Sequence, residues 1–422
     1  MHAATPLINK ALPTILAAAL LVSGCESMDS ALKTGERAIS VVSSPSARSI
    51  ANIASADNRE AAAREALKSR SRAYEENPQA LINDIRQAQR DYQKLVNLLT
   101  GRVTKTWGKG EVKIPTKTHY VKYTQNYMSR AVVDFDAAKI TVETLDEKDP
   151  KSSLRNAIVT TLLTPNDPRA VDLYSDSAVK LSSEREPYLK GLVLDHRGRP
   201  VTSPAEAEPF ADHVLGGSIP ARTVKLERGE KTAHYVEIPM VANLANKQAE
   251  KYQPVVAKYA EKYKVSQSLV FAVIRTESNF NPFAVSSAPA YGMMQLVPSS
   301  GGRAAWRQAF GEDAVPTRDD LFDPEKNIHL GSAYLNVLSY GQLDAIGNMV
   351  SREYCVISAY NTGPGNVLRT FNSNRTEAVN QINRLEPPAV YEKLRTSLPY
   401  AETRQYLEKV VGYRRQFVAA SR

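Results

Sequence analysis

The hydrophobic period of this 422-residue sequence changes once, near residue 242, and that change calls for a sheet-bearing region followed by a helical one. From about 101 to 241 the apolar residues come in short alternating runs. "KITVETL" puts Ile140 and Val142 on one face, as a half-buried strand does. "GLVLDHRGRPV" reads as two short strands around a turn at Gly198, and "ARTVKLERGEKTAHYVEIPMV" as a hairpin turning near Gly229. "SSLRNAIVTTLL" between them reads as a helix. These pieces predict an α+β region with a mainly antiparallel sheet. From about 243 onward the period is helical. "NKQAEKYQPVVAKYAEKYK" spaces Val255, Val256, Tyr259 and Tyr263 for one helix, and Ser266 is placed to cap the next. "NIHLGSAYLNVLSY", "SREYCVISAYN" and "AETRQYLEKVVGYRRQF" fit further helices.

The stretch from 26 to about 100 is polar, rich in alanine and dominated by helix formers, with Pro78 dividing it in two. Its second half carries Leu81, Ile82, Ile85, Leu95 and Leu98 as a loose apolar stripe, and the first half suits a spacer. Before it, Lys10 precedes an apolar run from Ala11 to Val22, too short to span a bilayer and of the right length for a secretory leader. "LVSGC" then places Cys25 after two small residues and resembles a bacterial lipoprotein box. It implies cleavage before Cys25, lipid on that cysteine and, with Glu26 rather than aspartate next, an outer-membrane tether facing the periplasm. A plain leader with an incidental cysteine is the alternative. The other cysteine, Cys355, reads as a small buried hydrophobe, and two cysteines give no metal or redox spacing. The net charge of +9 suits an anionic partner such as nucleic acid, anionic lipid or a carboxylate-bearing polymer, or solubility alone.

One carboxylate is out of place. In "SQSLVFAVIRTES", helical spacing puts Val270, Val273, Ile274 and Glu277 on one face, so Glu277 falls on the apolar stripe. Burial disfavours the charged form of a carboxyl, and a carboxyl that keeps its proton is equipped to be a general acid. A helix that frays at this point would instead leave Glu277 solvated. Two later segments offer groups suited to sugars. "YGMMQLVPSS" has Gly292 for a tight backbone approach and the amide of Gln295. "AYNTGPGNV" sets Tyr360 and Asn361 at a helix end before a Gly-Pro-Gly turn.

In this order and spacing, "ESNFNPFAVS", "GMMQLVP", "AYNTGPGNV" and "ETRQYLEKV" resemble the catalytic domain of the family-one lytic transglycosylases, which has an all-α, goose-lysozyme-like fold. "WGKGEVKIP", "HYVKYTQNYMSRAVVDFD", "KITVETL" and "DPRAVDLYSD" are similar to the N-terminal domain of a membrane-bound member of that family. The resemblance implies that Glu277 is the single catalytic acid and base. It implies that Ser286, Met294, Gln295, Tyr360 and Asn361 contact the saccharide, and that Tyr406 orients Glu277. Helix packing is the other reading of Tyr406. The implied substrate is the glycan strand of peptidoglycan, cut between N-acetylmuramic acid and N-acetylglucosamine to leave an anhydro-muramoyl end, with no cofactor and no metal. Ala288, Pro289 and Met293 depart from the usual pattern and bear on subsite detail.

The expected architecture is therefore α+β overall. It runs from a leader (1–24), a lipidated helical spacer (25–100) and an α+β domain (101–242) to an all-α catalytic domain (243–422). Nucleic acid is an unsuitable partner, given the lipid tether and the lack of an aromatic-basic motif. Two alternatives stay open: a lysozyme-type hydrolase in which Asp323, Asp344 or Glu402 serves as a second acid, and a non-catalytic peptidoglycan-binding lipoprotein.

Overall fold

The computed structural model describes residues 78–179, 181, 186–286 and 290–420. The expected leader, the lipidation site Cys25 and the first part of the spacer lie outside the described residues. Helix α1 (Pro78–Trp107) runs through residue 100, where the spacer was expected to end. Its Leu99, Val103 and Trp107, at steps of four, pack with Val121, Tyr123, Val132, Val224 and Ala233 on one face of the sheet. Leu98, expected on the packing stripe, is 69% exposed. The stripe that packs lies one residue further round, where the Trp107 indole N–H donates to the Tyr127 carbonyl at 2.7 Å and anchors the helix.

The sheet has the order β1-β2-β3-β5-β4 and is antiparallel throughout. Its strands are β1 (His119–Thr124), β2 (Ser129–Asp134), β3 (Lys139–Thr144), β4 (Ala221–Lys225) and β5 (Glu230–Pro239). The expected hairpin is β4–β5, turning at Gly229 with φ of 83°. Ile140 faces Ile238 and Val142 faces Val236, and this inner face is covered by α2 (Pro150–Leu162), with α3 (Pro204–Val214) packed behind it. The expected half-buried strand is seen in β3, where Lys139 and Thr141 stay half-buried beside buried Ile140 and Val142; on the outer face, which α1 covers in part, only Glu143 departs. There Glu143, only 3% exposed, takes the Arg130 Nε at 2.6 Å and Arg222 at 2.8 Å, while Arg130 also stacks 3.9 Å above Trp107. "GLVLDHRGRPV" makes an isolated Leu194–Pro200 bridge instead of two strands. The Asp195 carboxylate accepts from the N–H groups of Arg197 and Arg199 and satisfies that turn from within, which leaves few groups for strand pairing.

The rest is helical: α4 (Leu244–Lys262), α5 (Gln267–Ser278), α6 (Arg303–Phe310), α7 (Arg318–Phe322), α8 (Pro324–Val337), α9 (Met349–Thr362), α10 (Pro364–Arg369), α11 (Arg375–Arg384), α12 (Pro387–Ser397) and α13 (Ala401–Ala420). Helix α5 lies at the centre, with Val270, Ala272, Val273 and Ile274 fully buried between α4 and α13. Cys355 on α9 is buried, as expected. The helical part and the sheet share one core. Phe283 inserts between Tyr120 and Tyr188, with ring centroids 4.7 and 4.9 Å away. Burying that ring contributes about 2–3 kcal/mol. Among the described residues no helix is long and apolar enough to cross a membrane.

Candidate active site

Helix α5 starts at Ser266, whose hydroxyl accepts from the Leu269 N–H at 3.3 Å. It stops at two successive residues in left-handed conformation, Asn279 (φ 46°) and Phe280 (φ 62°). Such a backbone costs a non-glycine residue about 1–2 kcal/mol and persists only where the surroundings hold it. Here Phe280 is fully buried, and Asn279 donates to the Phe135 carbonyl at 2.7 Å. Asn281, also fully buried, donates to the Lys117 carbonyl at 3.0 Å and accepts from the Phe283 N–H at 3.0 Å. Both asparagines of "ESNFN" thus fasten the end of α5 to the sheet domain.

Glu277 occupies the last turn before this fastening and is 5% exposed. Burial pushes its carboxyl above the usual carboxylate range, against the pull of the Lys117 ammonium, whose Nζ lies 3.3 Å from Oε2. The Tyr406 hydroxyl also lowers it, and the charge of Glu402 raises it further. Tyr406, on α13, is buried and faces the carboxyl at the margin of hydrogen-bond geometry: it acts on Glu277 as a weak donor yet has no partner at full hydrogen-bond distance. Burial and the nearby Glu277 together hold the Tyr360 and Tyr406 phenols far above the ordinary tyrosine range, so both remain donors.

The 291–296 loop closes the site from below. Tyr291 and Leu296 exchange backbone hydrogen bonds, which requires left-handed residues at Gly292 (φ 74°) and Gln295 (φ 47°). A Cβ on Gly292 would sit 2.2 Å from the Leu321 carbonyl oxygen, so no other residue fits. Asn327 on α8 holds the loop from the far side. Its Oδ1 accepts from the Met294 N–H at 2.8 Å, and its Nδ2 donates to the carbonyls of Tyr291 (3.0 Å) and Leu321 (2.8 Å). The loop in turn offers carbonyls to the site helices: Ser278 donates to Met293 at 2.8 Å and Tyr360 to Met294 at 2.8 Å.

Of the expected site residues, Tyr360 and Tyr406 lie near Glu277, while Asn361, next to Tyr360, ties α9 to α13 by accepting a 2.6 Å hydrogen bond from the Thr403 hydroxyl. Ser286 is half-buried, with its N–H on the Ala290 carbonyl; Ala288 and Pro289 lie outside the described residues. The placement of Met294 in the sugar groove is corrected. It has no exposed surface, and its thioether fills the space above Gly331, where a Cβ would meet Sδ at 2.1 Å. Gln295 is also turned inward, its amide nitrogen donating to the carbonyls of Ala284 and Gly292. Lys117, Asn327 and Thr403 were missed, because nothing local in the sequence ties them to Glu277. Of the three carboxylates considered as a second acid, only Glu402 acts on Glu277. Asp323 caps α8 and Asp344 sits on an exposed turn. The arrangement is one buried carboxyl raised above the usual carboxylate range, two phenols, of which Tyr360 donates to the Met294 carbonyl, and one ammonium, a set able to move a single proton to and from a bound oxygen.

Residues 74–251 match the family model of the membrane-bound lytic murein transglycosylase C N-terminal domain, and residues 254–383 match the transglycosylase SLT domain. Membrane-bound lytic murein transglycosylase C of Yersinia enterocolitica is 43% identical over 319 residues, covering 76% of this chain and 87% of that protein. Its counterpart from Serratia proteamaculans is 42% identical over 333 residues, covering 79% and 90%. The 70 kDa soluble lytic transglycosylase of Escherichia coli is a more distant likeness, 31% identical over 40% of this chain and 24% of that one, with a TM-score of 0.31.

Proposed function

The chain belongs to the membrane-bound lytic murein transglycosylase C family, and from that premise we propose that Glu277 is the single acid and base of a peptidoglycan lytic transglycosylase. The observation that carries this is the burial of Glu277 beside two phenols, which raises its carboxyl above the usual carboxylate range and so favours the protonated form. Ordinary glycosidases use two carboxyl groups; here one serves twice. Protonated Glu277 gives its proton to the oxygen linking N-acetylmuramic acid to N-acetylglucosamine, and the N-acetyl carbonyl of the muramoyl sugar supports the anomeric carbon as the bond breaks. Carboxylate Glu277 then takes the proton of that sugar's own C6 hydroxyl, whose oxygen bonds to the anomeric carbon. The proton count closes, no water is consumed and the product carries an anhydro-muramoyl end. A tethered hydroxyl has an effective concentration on the order of 10⁵ M or more when well aligned, so it outcompetes water. Tyr406 steadies the carboxyl, and Tyr360, its hydroxyl on the Met294 carbonyl, presents its ring to the saccharide. Ser286 and Asn361 contact the glycan, while Met294 and Gln295 shape the loop beneath it.

The same reading tethers the enzyme by lipid on Cys25 to the outer membrane, facing the periplasm, and divides the body at 242/243 with α1 joined to the sheet domain. The basic net charge of +9 suits the peptide carboxylates of the sacculus. The test is mass spectrometry of muropeptides released from purified sacculi. Wild type yields anhydro products, one water lighter than those of a muramidase using Glu402 as its second acid, and Glu277→Gln yields none. Hydrated products, or undiminished release by Glu277→Gln, would refute the mechanism.

A further inference from the structure

The cation beside Glu277 does not come from the helical domain. Lys117 lies on the segment leading into β1, and Asn281 donates to the carbonyls of both Thr116 (3.4 Å) and Lys117 (3.0 Å). Asn279 grips the sheet domain a second time, at Phe135, and Phe283 locks into its core between Tyr120 and Tyr188. The sheet domain is therefore held by residues two, four and six places after Glu277, and the middle one, Asn281, bonds the backbone of the lysine itself. Domains of one chain move relative to each other unless their interface is extensive and apolar; this one is apolar and is fastened next to the carboxyl. Nζ approaches Oε2, which leaves Oε1 for another partner.

We propose that Lys117 is a positioning residue of the active site, supplied by the sheet domain to fix the Glu277 carboxyl and to set the pH range in which it works. The inference rests on Glu277 being the acid. The groups that face this carboxyl are Lys117 from the sheet domain, Tyr360 from α9, and Tyr406 and Glu402 from α13. Lys117 is the one cation among them. A carboxyl buried without it would hold its proton well and be costly to ionise, yet the reaction needs the ionised form as soon as the first proton has left. The ammonium stabilises that form. It gives the sheet domain a part in the chemistry that its own sequence does not reveal.

The test is the pH profile of kcat/KM for the full chain on sacculi, for wild type, Lys117→Met, Lys117→Gln, Lys117→Arg and Glu277→Gln. On the alkaline side activity falls as Glu277 loses its proton. Removing the ammonium moves that limb up by about one pH unit, so beyond it Lys117→Met keeps roughly ten-fold more of its maximal activity than wild type does. Lys117→Arg keeps the wild-type limb. A lysine that only supports the fold would scale the rate equally at every pH. An unmoved limb in the folded Met and Gln variants, or a limb that Lys117→Arg moves as far as Lys117→Met does, overturns the proposal. Activity in Glu277→Gln would instead overturn the assignment of the acid itself.

Discussion

Replacing Asn327 by alanine removes one side chain that satisfies three buried main-chain groups: the Met294 N–H and the carbonyls of Tyr291 and Leu321. Asn327 has no exposed surface. Each buried group left unpaired costs about 1–3 kcal/mol, and a water entering the vacated space recovers part of it. The net loss is roughly 3–6 kcal/mol, a large share of the 5–15 kcal/mol that holds a typical domain together. The change also reaches the chemistry. The loop that Asn327 holds offers the Met294 carbonyl to Tyr360 and the Met293 carbonyl to Ser278, one residue from Glu277. A misplacement of about 1 Å at a reacting group is enough for a hundred-fold loss of rate. Urea unfolding followed by circular dichroism measures the first effect. Muropeptide release at a temperature where the variant is still folded measures the second, expected at ten-fold or more. A stability loss below about 1.5 kcal/mol, or full activity in the folded variant, would refute the view that one amide organises this loop.

Three further outcomes are expected. Glu277→Gln, though inactive, gains stability: the folded-state pKa of Glu277 is raised, so its favourable contribution is present in acid and lost as pH rises through that value, and glutamine escapes the loss. Melting curves in acid and in mild alkali check this, and a gain that does not grow with pH counts against it. Asp319 on α7 is lifted by burial from 3.8 to about 6. By the same sign Asp319→Asn is the more stable protein above about pH 6 and loses that advantage below 3.8, again read from thermal melts. Arg130→Met strips a fully buried cation from Glu143 at 2.6 Å and Glu111 at 2.9 Å. Breaking such a pair costs about 3–5 kcal/mol, measured by urea titration; a change under 1 kcal/mol or so would show that Arg222 alone suffices for both carboxylates.

What could be read from the sequence was what neighbouring residues decide. Glu277 on an apolar face, the Ser266 cap and the Gly229 hairpin each follow from spacing within a few residues, and each is in the structure. The half-buried reading of "KITVETL" holds except at Glu143, which is buried by Arg130 and Arg222 from other strands, partners that alternation within one strand does not report. Met294 was misplaced because a methionine in a loop carries no local sign of which way it points, and here Gly331 makes room for it in the core. Lys117 is 160 positions from Glu277, and only the folded interface brings the two together.

The ring of Phe283 has a practical consequence for anyone exchanging parts among relatives. A catalytic half grafted without Tyr120 and Tyr188 would carry a bare aromatic wedge six residues after Glu277, inviting self-association before any substrate arrived. Chimeras joined at the chain's apparent seam therefore need those two tyrosines carried along, so the workable unit of exchange is larger than the enzyme's visible modules.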